Sequence, residues 1–298
     1  MAFKPIFNAF EKKPLSQYFR GGKNVGGLTT LRDNFTIPTW LMFGALLQGL
    51  LSFLPYRNIM LVAPVALIIL YKSAVALLQT FGLLKNPYMD GVIPQRTAIL
   101  YANAHNQHST PGGDEVCAIL LASRSNHPLG MFAPGFKEVG ERFTWMTKEM
   151  EKSPTEHGFL GASTWINSGD RGYSSEVMVI IYFESMHHLH TYAHGTRHTE
   201  TMQWWQANAD KLKHVGIMHE VFAAPKHSWE GIYVNYHPTG LGATFKEVEV
   251  DGVKKWASPL VEGKGKLTYS KGRMGRKFDE EKEWTAFEKT MGEADGRY

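Results

Sequence analysis

The run Tyr182 to Trp205, YFESMHHLHTYAHGTRHTETMQWW, holds five of the chain's thirteen histidines (His187, His188, His190, His194, His198) and closes on two adjacent tryptophans. Imidazole titrates closest to neutrality of any side chain, so such a run can serve as base, acid or metal ligand. Three chemistries are open: metal or haem ligation, proton transfer to and from a substrate, or none, with the histidines on the wet side of a helix. On a helix, His187, His190, His194 and His198 are 3, 4 and 4 residues apart, which makes one stripe. Gly195-Thr196 is expected to break that stripe after His194. His190 and His194 are candidate metal ligands, with Glu184 or another His as a third. The chain has no HExxH or comparable signature, however, and no metal is expected. His188 is expected to face solvent.

The elements that must position these groups read as a mixed α+β domain beginning near Thr97. Glu115 to Ser123 (EVCAILLAS) has the length and apolarity of a strand. Met131 to Ser153 carries helical spacing and ends before Pro154. Phe159 to Trp165 and Glu176 to Phe183 (EVMVIIYF) read as strands, the second rich in β-branched and aromatic residues. The histidine run follows as a helix, a turn and a second helix from Arg197 to Leu212. Gly216 to Ala224 (GIMHEVFAA) is a fourth strand. Its alternation puts Ile217, His219 and Val221 on one face and Glu220 on the other. Ile232 to Tyr236 reads as a short fifth strand. The order β-α-β-β-α-β is ferredoxin-like, an antiparallel sheet with helices on one face, and a turn is expected at Ser168-Gly169-Asp170. From Asp251 the chain reads as a polar, partly disordered extension with a short helix at Glu280 to Met291.

Ahead of this domain, hydrophobicity is concentrated. Ile37 to Tyr56 is a charge-free run of twenty residues, and Ile59 to Leu84 is almost entirely apolar, with Lys72 its one charge. Crossing a bilayer's hydrocarbon core takes about 20 apolar residues, so residues 37–85 predict a transmembrane helical hairpin that turns at LPYRN. Residues 1–36 carry six Lys or Arg against two acidic residues; positive flanks stay cytosolic, which puts both ends of the hairpin in the cytosol. A buried helical pair, or a hairpin entering one leaflet, are the alternatives. Cys117 is the chain's single cysteine, which excludes an internal disulfide and any multi-cysteine metal site. It sits in an apolar run and reads as a buried thiol. The formal charge of +4 in 298 residues, without aromatics interleaved in a basic stripe, excludes nucleic acid as the expected partner. No GxGxxG follows a strand, and GGKNVGG (Gly21–Gly27) and GLGAT do not imply flavin or nicotinamide.

The segments EHGFLGASTW (Glu156–Trp165), EVMVIIYFES (Glu176–Ser185), AHGTRHTETMQWW (Ala193–Trp205), VGIMHEVF (Val215–Phe222) and YVNYHPTGLGAT (Tyr233–Thr244) resemble, in order and spacing, small bacterial monooxygenase-like domains. That group looks like a branch of the antibiotic-biosynthesis-monooxygenase type dimeric α/β barrels, and the resemblance covers about residues 115–276. It implies a homodimer in which two ferredoxin-like sheets pair, each subunit keeping a pocket between sheet and helices. His198, His219 and Glu220 fall on positions that the bacterial pattern fills with the same residue types. The resemblance implies a cofactor-independent oxygenation: a base, His198 or His219, removes a proton, and the resulting carbanion or enolate reduces O₂. Tyr233, Asn235 and Tyr236 are then candidate hydrogen-bond donors or pocket walls, and Trp204, Trp205, Phe183 and Phe222 would line an apolar cavity. His219 is expected inward, beside Ile217 and Val221, its alternative being a hydrogen-bonded core residue. The added hairpin departs from the bacterial pattern. It suggests a fungal protein at the endoplasmic reticulum, its domain facing the cytosol, acting on a lipophilic terpenoid or polyketide. Haem held by His190, His194 or His198 is the rival within the fold, and a membrane-tethered lipid-binding or scaffold module is the non-catalytic one.

Overall fold

The computed structural model describes residues 2–20, 31–32, 34–166 and 176–276. The turn expected at Ser168-Gly169-Asp170, the helix expected at Glu280–Met291 and the glycine-rich piece at 21–27 lie outside the described residues. In chain order come helices α1 (Ile37–Leu51) and α2 (Arg57–Thr80), strands β1 (Ile93–Ile99) and β2 (Val116–Ser125), and helix α3 (Phe136–Lys152). Strands β3 (Phe159–Ile166) and β4 (Glu176–Phe183), helices α4 (Met186–Ala193) and α5 (Thr196–Asn208), and strand β5 (Val215–Ala224) complete the central unit. Strands β6 (Ile232–Tyr236), β7 (Lys246–Val250), β8 (Val253–Ala257) and β9 (Leu260–Glu262) follow.

The central sheet has the order β3-β4-β2-β5 and every pairing in it is antiparallel. With α3 between β2 and β3 and the α4–α5 pair between β4 and β5, this is the ferredoxin-like arrangement. Strand alternation decides what each face carries. Cys117, Ile119, Val179, Ile181 and Phe183 point toward the helices and pack with Met150, Leu189 and Tyr192 into the main core. Burial pushes the Cys117 thiol upward in pKa, as expected of an inert core cysteine. The register sets Trp165 opposite Met178 and puts Met218, Glu220 and Phe222 of β5 on the opposite face. There Trp165, Met218 and Phe222 are 41%, 44% and 56% exposed.

Ile232–Tyr236 is a strand, as its sequence predicts, but it pairs with β1 in a second sheet of order β6-β1-β9. The polar extension expected from Asp251 is corrected as far as residue 276. Leu260, Val261 and Leu267 are wholly buried there, and Val261 and Leu267 pack on Ala98, Leu100 and Phe3. Few apolar residues, widely spaced among lysines and glycines, suffice because the second sheet closes over them. The basic N-terminal segment is likewise no free flank. Phe10 N–H donates to the Trp256 carbonyl at 2.8 Å, as Trp256 N–H does to Phe10, and Lys13 pairs with Glu151 at 2.8 Å, both side chains nearly buried.

Of the expected two-span hairpin, the described residues show one helix of spanning length and a shorter apolar one. At about 1.5 Å per residue, the 15-residue α1 is about 22 Å long, short of a hydrocarbon core of about 30 Å. The 24-residue α2 reaches about 36 Å and is the one helix among the described residues long and apolar enough to cross a membrane. The apolar run outlasts α1 because Ser52, through both its N–H and its Oγ, bonds the Gly49 carbonyl and Pro55 then supplies no N–H. Neither helix buries any residue within the chain, which sets aside the buried helical pair.

Candidate functional site

Ser185 caps α4, its hydroxyl accepting from His188 N–H at 3.3 Å. Buried Leu189 and Tyr192 hold α4 on the core, and the Tyr192 hydroxyl donates to the Met146 carbonyl at 3.0 Å. The stripe breaks where the sequence predicts: α4 ends at Ala193 and α5 starts at Thr196. His187, His190 and His194 are exposed, with His194 Nδ1 2.7 Å from the His190 carbonyl. Among the described residues no three His, Cys, Asp or Glu side chains converge as metal ligands.

His198, in the first turn of α5, is half-buried. Burial holds its pKa below the ordinary imidazole value; a hydrogen bond with the Ala193 carbonyl works against this, while His219 and His194 add to it. His219 lies opposite Leu121 on the helix-facing side of the sheet, together with Ile217 and Val221, and is exposed. Two imidazoles from separate elements therefore come within electrostatic range between α5 and β5. A neutral imidazole with a depressed pKa is poised to accept a proton near pH 7. Trp205, seven residues after His198, shares its helical stripe.

The remaining candidates are placed elsewhere. Glu220 opposes Leu120 on the far face, so it and His219 cannot serve one pocket. Phe183 is 1% exposed and stands edge-on to Phe159 at 6.3 Å; it is core, because its face of β4 meets the helices. Trp204 is covered by the Arg142 guanidinium at 4.3 Å, a contact tying α5 to α3. Phe222 is exposed on the far face. The Tyr233 hydroxyl already donates to the Thr239 carbonyl at 2.8 Å and accepts from Gly242 N–H at 3.1 Å. It neighbours Tyr182 on the far face, where burial foremost, then Tyr233, push the Tyr182 pKa up to about 12. Asn235 is exposed with φ +50°, and Tyr236 is stacked on His237 at 4.8 Å. The YVNY segment thus stands apart from the two imidazoles because β6 belongs to the second sheet.

A cavity of about 210 Å³ opens at the end of the sheet where β2 begins and β5 ends. His188, Ser185, Glu184, Asp114, Lys246 and Tyr101 are among its walls. His188 is therefore not a solvent residue: its Nδ1 is 2.8 Å from Ser185 Oγ, and its ring fills the space a Cβ on Gly158 would need. Lys246 joins Asp114 at 2.7 Å and Glu184 at 3.9 Å. The one signal of this cavity in the sequence is Glu184-Ser185 at the strand-to-helix boundary. Lys246 lies 132 residues from Asp114, a juxtaposition no local pattern carries.

Residues 116–241, from β2 to just beyond β6, match the model of the Monooxygenase af470-like family. Monooxygenase af470 of Aspergillus fumigatus is 32% identical over 253 residues, spanning 83% of this chain and 90% of that protein. The chain belongs to the monooxygenase af470-like family. It is an enzyme of monooxygenase type, as the resemblance of its segments implies. Among solved structures, an aldoxime dehydratase in complex with butyraldoxime is 14% identical, with a TM-score of 0.35 over 49% of this chain and 42% of the other. SnoaB, a cofactor-independent oxygenase from Streptomyces nogalater, is 12% identical, with a TM-score of 0.24 over 37% of this chain and 93% of the other. Likenesses of this size bear on neither substrate nor mechanism.

Proposed function

We propose that this member of the monooxygenase af470-like family oxidises a lipophilic terpenoid or polyketide bearing a carbonyl group, at a membrane and without flavin or nicotinamide. The observation carrying the reading is the His198–His219 pair, with the His198 pKa held down by burial. A neutral His198 takes a proton from the carbon beside the substrate carbonyl. The enolate passes electrons to O₂, and protonation gives a hydroperoxide. Loss of water then leaves a new C=O, so one oxygen atom enters product and the other leaves as water. Oxidation in this sense consumes only electrons from the substrate. His219, opposite, is the second proton carrier.

The membrane part of the reading is supported by the length and apolarity of α2 and by α1 and α2 burying no residue within the chain; a lipophilic substrate would be in keeping with it. A fungal endoplasmic reticulum location with a cytosolic domain is consistent with both. Homodimerisation through the sheet face carrying Trp165, Met218 and Phe222 would cover three large exposed apolar residues. Purified protein incubated with candidate ketones under ¹⁸O₂ should place one labelled atom in product. Equal turnover under nitrogen would end the reading. A Soret band in the purified protein would replace it with a haem enzyme.

A further inference from the structure

α1 begins beside a second group of exposed apolar residues that the functional reading leaves unused. The Phe35 ring lies 5.6 Å from Trp40, 5.7 Å from Phe43 and 6.5 Å from Phe132. Phe132 belongs to the turn that precedes α3. The link is also polar: Asn34 Oδ1 accepts from Met131 N–H at 2.8 Å. It also occupies the space a Cβ on Gly130 would fill, at a residue with φ +55°. The base of α1 and this turn are thus clamped together. Their outer surface is apolar, with Ile37 76%, Phe43 47%, Leu129 55% and Phe132 56% exposed.

We propose that Leu129–Phe132, together with Phe35, Trp40 and Phe43, is a second lipid contact that seats this end of the domain on the bilayer surface. The proposal rests on the membrane reading above. A lipid surface is the occupant because the patch is continuous with the apolar hairpin: α1 starts three residues after Asn34, so the turn lies at the depth where α1 enters lipid. Aromatic side chains favour that boundary, where rings meet acyl chains while polar edges stay wet. Trp40 fits, its Nε1 donating to the Arg32 carbonyl at 2.9 Å.

The same end of the domain is where β5 begins. His214 is hydrogen-bonded to both sides of the turn: its Nε2 is 2.8 Å from the Pro134 carbonyl, and its own carbonyl accepts from Asn126 N–H at 2.7 Å. From Val215 to His219 is about 13 Å along a strand, with Ile217 half exposed between them.

The test uses the full chain with Cys117→Ala, in phosphatidylcholine vesicles, carrying a single environment-sensitive fluorophore at Phe132→Cys, Val253→Cys or Leu70→Cys. Leu70 is on α2 and Val253 is exposed in the β7–β8 hairpin. The label at 132 should emit to the blue and be quenched several-fold more by spin-labelled lipid than the label at 253. Equal quenching of 132 and 253 by aqueous iodide, with 70 still quenched from lipid, overturns this contact alone. If 70 is not quenched from lipid either, the membrane reading falls and this proposal with it. Shielding at 132 that appears in detergent only as protein concentration rises would assign the patch to a second copy and also overturn the proposal.

Discussion

Leu267→Ala examines whether the segment after Asp251 belongs to the fold. Leu267 is fully buried in a single turn and packs on Ala98, Leu100, Val261 and Phe3. Leucine-to-alanine changes in cores cost about 2–5 kcal/mol, and more where the surroundings cannot collapse. Ala98 and Val261 are paired to each other in the β1–β9 ladder, so the cavity cannot close by moving either one. The cost should lie near the middle of the range, about 3–4 kcal/mol. For a chain of this size each kcal/mol shifts Tm by about 2–4 °C, so the midpoint should fall by roughly 10 °C. Thermal unfolding of the full chain in detergent, followed by near-ultraviolet circular dichroism, reads this directly. Val253→Ala, at an exposed site, is the control and should stay within about 0.5 kcal/mol. A Leu267→Ala midpoint no lower than that of Val253→Ala would refute the assignment of residues 260–276 to the core.

Phe183→Ala should cost about 3–5 kcal/mol in a denaturant titration, while turnover per folded molecule is kept; selective loss of turnover would return Phe183 to the substrate pocket. His198→Gln should lower kcat by about 10²–10⁴ with little change in unfolding midpoint, measured by oxygen consumption. Because burial depresses the His198 pKa, the base stays neutral to lower pH than an ordinary imidazole, so the acid limb of the rate profile should lie below about pH 6.5. The unfolded chain takes up that proton first as pH falls through about 6.5, so stability should decline there and decline less in His198→Gln. Lys246→Met leaves Asp114 and Glu184 without their cation and should cost about 1 kcal/mol, read as a shift of the urea midpoint.

What was legible in the sequence was what local pattern encodes. β4 could be read to the residue because EVMVIIYF is rich in β-branched and aromatic residues and ends just before the serine that caps α4; β2, β3 and β5 could be placed within two residues. The face of His219 followed from period two alone. The second sheet could not be read, because β1 (IPQRTAI) and β9 (LVE) are short, polar or both, and β1 finds its partners β6 and β9 more than a hundred residues away; the β7–β8 hairpin was missed because KEVEV and VKKWA are short and mostly charged. Phe183 and Tyr233 show the converse failure. Aromatic residues beside a candidate site look like pocket walls until the register shows one facing the helices and the other spending its hydroxyl on Thr239 and Gly242. His188 was misplaced because helical periodicity says nothing of a glycine, Gly158, that opens room for its ring.

Residues 3–18 lie across the domain before the chain departs into α1. Phe3 packs on the second sheet and Phe10 bridges to Trp256 of the β7–β8 hairpin, Ser16 Oγ donates to Glu151 at 2.6 Å, and Tyr18 shares a 2.8 Å hydrogen bond with Thr144. The apolar helices are thus an excursion from a body already begun, tethered on both sides. A water-soluble version should be made by excising the interval from Thr36 to Asn86 and bridging the gap, not by starting the chain at β1. The second route would strip Lys13 and Ser16 from Glu151 and leave a nearly buried carboxylate with nothing to neutralise it.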